Sequence, residues 1–111
     1  MKFKFNIIKG SIPYRTAIVI NKKEFIFDLK MNSYDRRIYI DLYDNQLNPI
    51  CYAEPIIFGI PLWFNKLSDE RGNFNEKFPK AYIIPNTKDR IYKKITYDNI
   101  DEIEMLVEEE G

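Results

Sequence analysis

The stretch Met31-Asn32-Ser33-Tyr34-Asp35-Arg36-Arg37-Ile38-Tyr39-Ile40-Asp41-Leu42-Tyr43-Asp44 is a polar turn that runs into strict alternation and ends on another turn. Asn32, Ser33 and Asp35 suit the turn, because short polar side chains bond nearby backbone and asparagine tolerates positive φ. From Arg36 to Tyr43, Ile38, Ile40 and Leu42 fall on one face, while Tyr39, Asp41 and Tyr43 fall on the other. That is the pattern of a strand with one face in a core. In Glu24–Met31, Phe25, Phe27, Leu29 and Met31 likewise share a face. The two runs and their turn make a hairpin at the centre of a β domain.

The same period extends outward. In Lys2–Ile8, Phe3, Phe5 and Ile7 share a face, and Gly10-Ser11-Ile12-Pro13 ends the run. Tyr14–Ile20 is a second strand, with Asn21-Lys22-Lys23 as its turn. Downstream, Asp44–Pro49 is a loop and Ile50–Phe58 a fifth strand, which Pro55 consigns to an edge. Residues 61–67 fit one helical turn, since proline is welcome at a first helical position. Ser68–Lys77 is a polar loop, Lys80–Ile84 a short strand and Pro85–Lys94 irregular. The C-terminal run fits both periods: Ile100, Ile103, Leu106 and Val107 make a helical stripe, and Ile103, Met105 and Val107 a strand face. The expected fold is all-β, a small antiparallel barrel or sandwich of about six to seven strands with one short helical turn. Residues 1–111 are expected to form one domain, because a chain of 111 residues has room for one core.

Composition narrows the function. Hydrophobic residues make up 45%, enough for a packed core, and 15% aromatics favour pleated surfaces. With 17 basic and 17 acidic residues, no global field points to nucleic acid or an anionic membrane. The charge is split, however. Residues 1–30 carry seven Lys/Arg against two acids, and residues 98–111 carry seven acids and no base. One end of the chain can neutralise the other, or each can meet its own partner. The acidic run is expected to be a solvated edge strand whose charges block aggregation. Cys51 is the single cysteine, so no intrachain disulfide forms and a reducing compartment of synthesis is expected. The start, MKFKFNIIKG, lacks the apolar run of a secretory signal, and no stretch reaches the ~18 apolar residues of a membrane span.

Catalytic constellations are sparse. The chain has no histidine, which removes Ser-His-Asp and Cys-His systems and the commonest metal ligand. The glycines are isolated, so no phosphate-cradling loop exists. No cofactor, metal or small-molecule substrate is expected. Asp41 and Asp44 are spaced as an acid and base pair would be, but the favoured reading is a solvated strand face followed by a turn aspartate. Cys51 is expected to be a small buried hydrophobe. Arg15, Lys22, Lys23, Lys30, Arg36 and Arg37, interleaved with Tyr14 and Tyr34, are spaced as on a small barrel that binds single-stranded nucleic acid. Glu24, Asp28, Asp35 and Asp41 interrupt this row, which favours a solvated face. Leu62-Trp63-Phe64 is either a core plug, the preferred reading, or an exposed anchor for a partner.

The order of elements carries a resemblance. Phe25-x-Phe27-x-Leu29-x-Met31 leads at once into Asn32-Ser33 and an arginine-containing turn. Arg37-Ile38-Tyr39-Ile40-Asp41-Leu42-Tyr43-Asp44 follows, then Pro49-Ile50, Gly59-Ile60-Pro61-Leu62, Phe78-Pro79 with an apolar strand, and a charged C-terminal run. This ordered set, over residues 14–109, resembles the baseplate plug family of contractile phage tails. Ile38 stands where that family often has tryptophan, the Ser68–Lys77 loop is longer and more polar, and the tail is more acidic. The resemblance implies that Ile103–Glu109 is a strand. It also implies a non-enzymatic virion protein, made in the bacterial host cytoplasm, that plugs the central hub of the tail baseplate. Expected partners are other baseplate and hub proteins and, in a homo-oligomer, further copies of the chain. Leu62, Trp63, Phe64, Tyr34, Arg36, Glu108 and Glu109 are the candidate partner-interface residues.

Overall fold

Alternation and turn chemistry yield seven strands in two antiparallel sheets, in a computed structural model that describes residues 1–110. The strands are β1 (Lys2–Asn6), β2 (Tyr14–Ile20), β3 (Lys23–Met31), β4 (Ile38–Asp44), β5 (Pro49–Pro55), β6 (Ala81–Thr87) and β7 (Ile103–Glu109). One sheet has the order β2-β3-β4-β5 and the other β1-β7-β6. The sheets do not close on each other, so the architecture is a sandwich. Short 3₁₀ turns occupy Lys9–Ser11, Phe64–Lys66 and Tyr97–Glu102.

The core lies between the sheets. Phe25, Phe27, Leu29, Ile38, Ile40 and Leu42 enter from the four-stranded sheet, and Ile83, Ile103, Met105 and Val107 from the other. Ile38, Ile40 and Leu42 are fully buried, as the alternation in the hairpin requires. Burial of each such side chain contributes about 1.5–3 kcal/mol. Phe27 joins the layers, edge-on to Phe5 of β1 at 6.2 Å and to Trp63 at 5.8 Å. Trp63 sits at φ +56°, a left-handed conformation that costs a β-carbon residue roughly 1–2 kcal/mol. Its backbone N–H donates to the Glu54 carboxylate at 2.7 Å, and its indole packs against Phe27 and Phe78.

Several expectations change. The acidic C-terminal strand is not an edge: β7 is the centre of its sheet, paired with β1 on one side and β6 on the other, and its Ile103, Met105 and Val107 point into the core. Its outward glutamates meet the basic N-terminal strand, with Lys4 Nζ 2.8 Å from Glu104 and Lys2 Nζ 3.9 Å from Glu108. The opposite charges at the chain ends thus meet across one ladder. The strand expected to stop at Ile84 runs to Thr87 through Pro85. Proline is tolerated there because β6 is an edge and Pro85 lies at a position turned away from β7, where its carbonyl accepts from Gly59 N–H at 2.8 Å. The fourth strand starts at Ile38 and the fifth ends at Pro55, each shorter than the alternation suggested. The C-terminal ambiguity has a physical origin: a 3₁₀ segment with Ile100 buried leads directly into β7, so the two periods succeed one another.

Asp41 is also corrected. It lies on the outer face, yet it is only 5% exposed. β5 bulges against β4 at Ala53, whose φ of +57° turns its N–H onto the Asp41 carboxylate at 2.7 Å. Lys30 covers the other oxygen at 2.5 Å. A buried carboxylate is tolerated only when so satisfied. Asp44 is the expected turn residue and accepts from the N–H groups of Gln46 and Asn48.

Candidate partner interface

The turn between β3 and β4 is held by its own side chains. Asn32 Oδ1 accepts from Tyr34 N–H at 2.8 Å, and Asp35 Oδ1 from Arg37 N–H at 2.9 Å. Tyr39 Oη donates to the second Asp35 oxygen at 3.0 Å. The N–H and side-chain bonds keep the Asp35 carboxyl below the usual carboxylate range, and the same contact raises the Tyr39 phenol. Arg36, at φ +58°, aims its carbonyl at Tyr97 N–H, 2.7 Å away.

A second element fixes the turn from outside. Thr96 caps the 3₁₀ turn Tyr97–Glu102 reciprocally with Asn99, which presents Tyr97 and Asp98 to the hairpin. The Arg36 guanidinium lies 2.5 Å from Asp98 and 5.4 Å from the centre of the Tyr97 ring. Lys9 stands 5.3 Å from the same ring and donates to the Asp98 carbonyl at 3.0 Å. Arg36 holds the Asp98 carboxyl below its ordinary value, and Asp98 raises Arg36. Tyr34 projects from this braced tip 99% exposed, with Ile8, 61% exposed, preceding Lys9. The turn bonds order the backbone that presents Tyr34, and an exposed tyrosine beside Arg36 and Arg37 is the residue chemistry a partner contact would use.

The seven candidate residues do not form one surface. Tyr34 and Arg36 share the hairpin tip. Glu109 lies at the far end of β3, about 30 Å away for nine residues of strand. There its carboxylate accepts from Asn21 N–H at 2.5 Å and clips the β2–β3 turn to β7. Glu108 lines a cleft of about 510 Å³ with Leu67, Phe74 and Tyr82. Leu62 and Trp63 are in the core, with 1% and 2% exposure, which corrects their assignment as surface contacts; Phe64, 61% exposed, reaches solvent. Sequence reasoning missed Lys9, Tyr97 and Asp98, although Thr96-x-x-Asn99 was a legible capping signal.

Three of the six basic residues in the row proposed for nucleic acid are engaged by carboxylates. Arg15 binds Asp28 through two bonds of 2.7 and 3.0 Å, Lys30 pairs with Asp41 and Arg36 with Asp98. Tyr14 is half-buried, and its hydroxyl accepts from Ile8 N–H. Lys66 Nζ sits 3.4 Å from the buried Cys51 thiol.

No curated protein matches the sequence. The family model described as "Cyanophage baseplate Pam3 plug gp18" matches residues 3–107, from within β1 to within β7. With part or all of each of the seven strands and every connection inside that match, the chain belongs to this phage baseplate plug family.

Proposed function

We propose that the chain plugs the central hub channel of a contractile phage tail, held by other baseplate proteins and released when the tail contracts. The family match over residues 3–107 carries this reading. The physical design supports it. A sandwich of 37 × 29 × 25 Å, with a core shared by both sheets, is a stiff body able to block a channel. The braced Tyr34 tip supplies a contact that holds by packing and charge and separates without breaking a bond. The role is one of fit and adhesion rather than catalysis, and residues 1–110 act as one body. Particles assembled without the chain should retain their tails but leak DNA before ejection is triggered. Sealed particles lacking it would contradict the plug.

Single-strand binding has weaker support, because Arg15, Lys30 and Arg36 are engaged by carboxylates. Salt-sensitive binding of an oligonucleotide at low ionic strength would revive it.

A further inference from the structure

The sandwich has four edge strands, and three are guarded. On β6, Gly59 and Leu62 donate their N–H groups to the outward carbonyls of Pro85 and Ile83, at 2.8 and 2.9 Å. β5 begins and ends in proline and bulges at Ala53. β1 has only five residues and carries two lysines, Lys2 and Lys4, on its outer face. Proline, lysine, bulges and covering loops are the devices that keep edges from pairing. β2 has none of them. It runs seven residues in unbroken register with β3, as Tyr14-Arg15-Thr16-Ala17-Ile18-Val19-Ile20. Its one charge, Arg15, is already held by Asp28.

The turn fixes which backbone groups are free. Asn21 and Lys22 have φ of +51° and +68°, the two-residue hairpin geometry in which the flanking pair, Ile20 and Lys23, exchanges hydrogen bonds. By alternation, Tyr14, Thr16 and Ile18 also bond β3, while Arg15, Ala17 and Val19 direct N–H and C=O away from the sheet.

We propose that this edge pairs with the β2 edge of a second copy, antiparallel about a two-fold axis at Ala17. The edge is complementary to itself in that register. Ala17 faces Ala17 of the second copy, with no bulk at the axis, and Arg15 faces Val19, so no like charges meet. All three outward residues are used on each copy. The outer face agrees as well. Ala17 sits beside Ile26 and Ile26 beside Tyr43, so the apolar row continues unbroken across the axis into the other copy. Exposed Val19 gains a neighbour. A different protein's strand would need only backbone; the matched register and row favour the chain's own copy. The two sheets become one of eight strands, and the association closes at two.

Sedimentation of the purified full chain tests this. The wild type should move as a dimer, twice 13.4 kDa, in the micromolar range. Ala17→Pro removes an N–H that has no partner within one copy, so it should yield a folded monomer with an unchanged circular dichroism spectrum. If Ala17→Pro unfolds, Ala17→Glu decides, because it keeps the backbone and sets two carboxylates against each other at the axis. Amides of Arg15, Ala17 and Val19 should exchange at least tenfold more slowly in the dimer than in the monomeric variant. A wild type that stays monomeric, assembles beyond two, or dimerises unaffected by Ala17→Glu overturns the proposal. Protection of these three amides only inside particles would also overturn it, and would assign the edge to another baseplate protein.

Discussion

The guanidinium of Arg36 lies 2.5 Å from the carboxylate of Asp98, and this pair ties the β3–β4 turn to the 3₁₀ turn before β7. Because both groups are exposed, the pair adds little to global stability. Its effect is local: it orders the tip that presents Tyr34. Asp98→Asn should leave the melting temperature nearly unchanged while amides of Tyr34 to Arg37 exchange faster.

Tyr34→Ala should separate binding from folding. With no packing to lose, the variant should melt with the wild type, yet its incorporation into particles should fall several-fold. Wild-type incorporation would remove Tyr34 from the interface.

Ile40 and Asp41 are adjacent and buried for different reasons. Ile40→Ala should cost ~2–5 kcal/mol, as deletion of a fully enclosed aliphatic group does. Asp41→Ala leaves the Ala53 N–H without its acceptor and should cost ~1–3 kcal/mol, with Asp41→Asn recovering part of it. Urea titrations measure both.

The response to pH has a definite sign. Asp28, Asp35, Asp44, Asp89 and Asp98 are held below the ordinary value, by Arg15, Arg37 N–H, Asn48, Thr87 and Arg36 respectively. Depressed folded values mean that their stabilisation is complete above the unfolded value of about 3.9 and lost as pH falls through the folded values. With no histidine in the chain, little titrates near neutrality. Melting temperature should therefore be flat between about pH 5.5 and 8 and drop steeply below about pH 4. A transition near pH 6.5 would contradict this.

The hairpin was legible because one face of β4 is wholly apolar, so a one-residue slip would have exposed Ile38, Ile40 and Leu42. Sheet membership was not. Alternation places Ile103, Met105 and Val107 on one face but cannot say that Lys2 and Lys4 of a strand near the other end will flank it. Asp41 was misread because its burial depends on the bulge at Ala53, a left-handed alanine that no local pattern announces. The candidate interface was half legible. Turn chemistry marked Tyr34 and Arg36, whereas Lys9, Tyr97 and Asp98 reach them only through the tertiary fold.

Cryo-microscopy of purified particles, with their protein content measured by mass spectrometry, decides whether the chain is a plug. A seven-stranded sandwich should stand on the tail axis at the baseplate hub, with the Tyr34 tip against a neighbouring protein. Particles without the chain, or with it only at the baseplate periphery, would overturn the plug role.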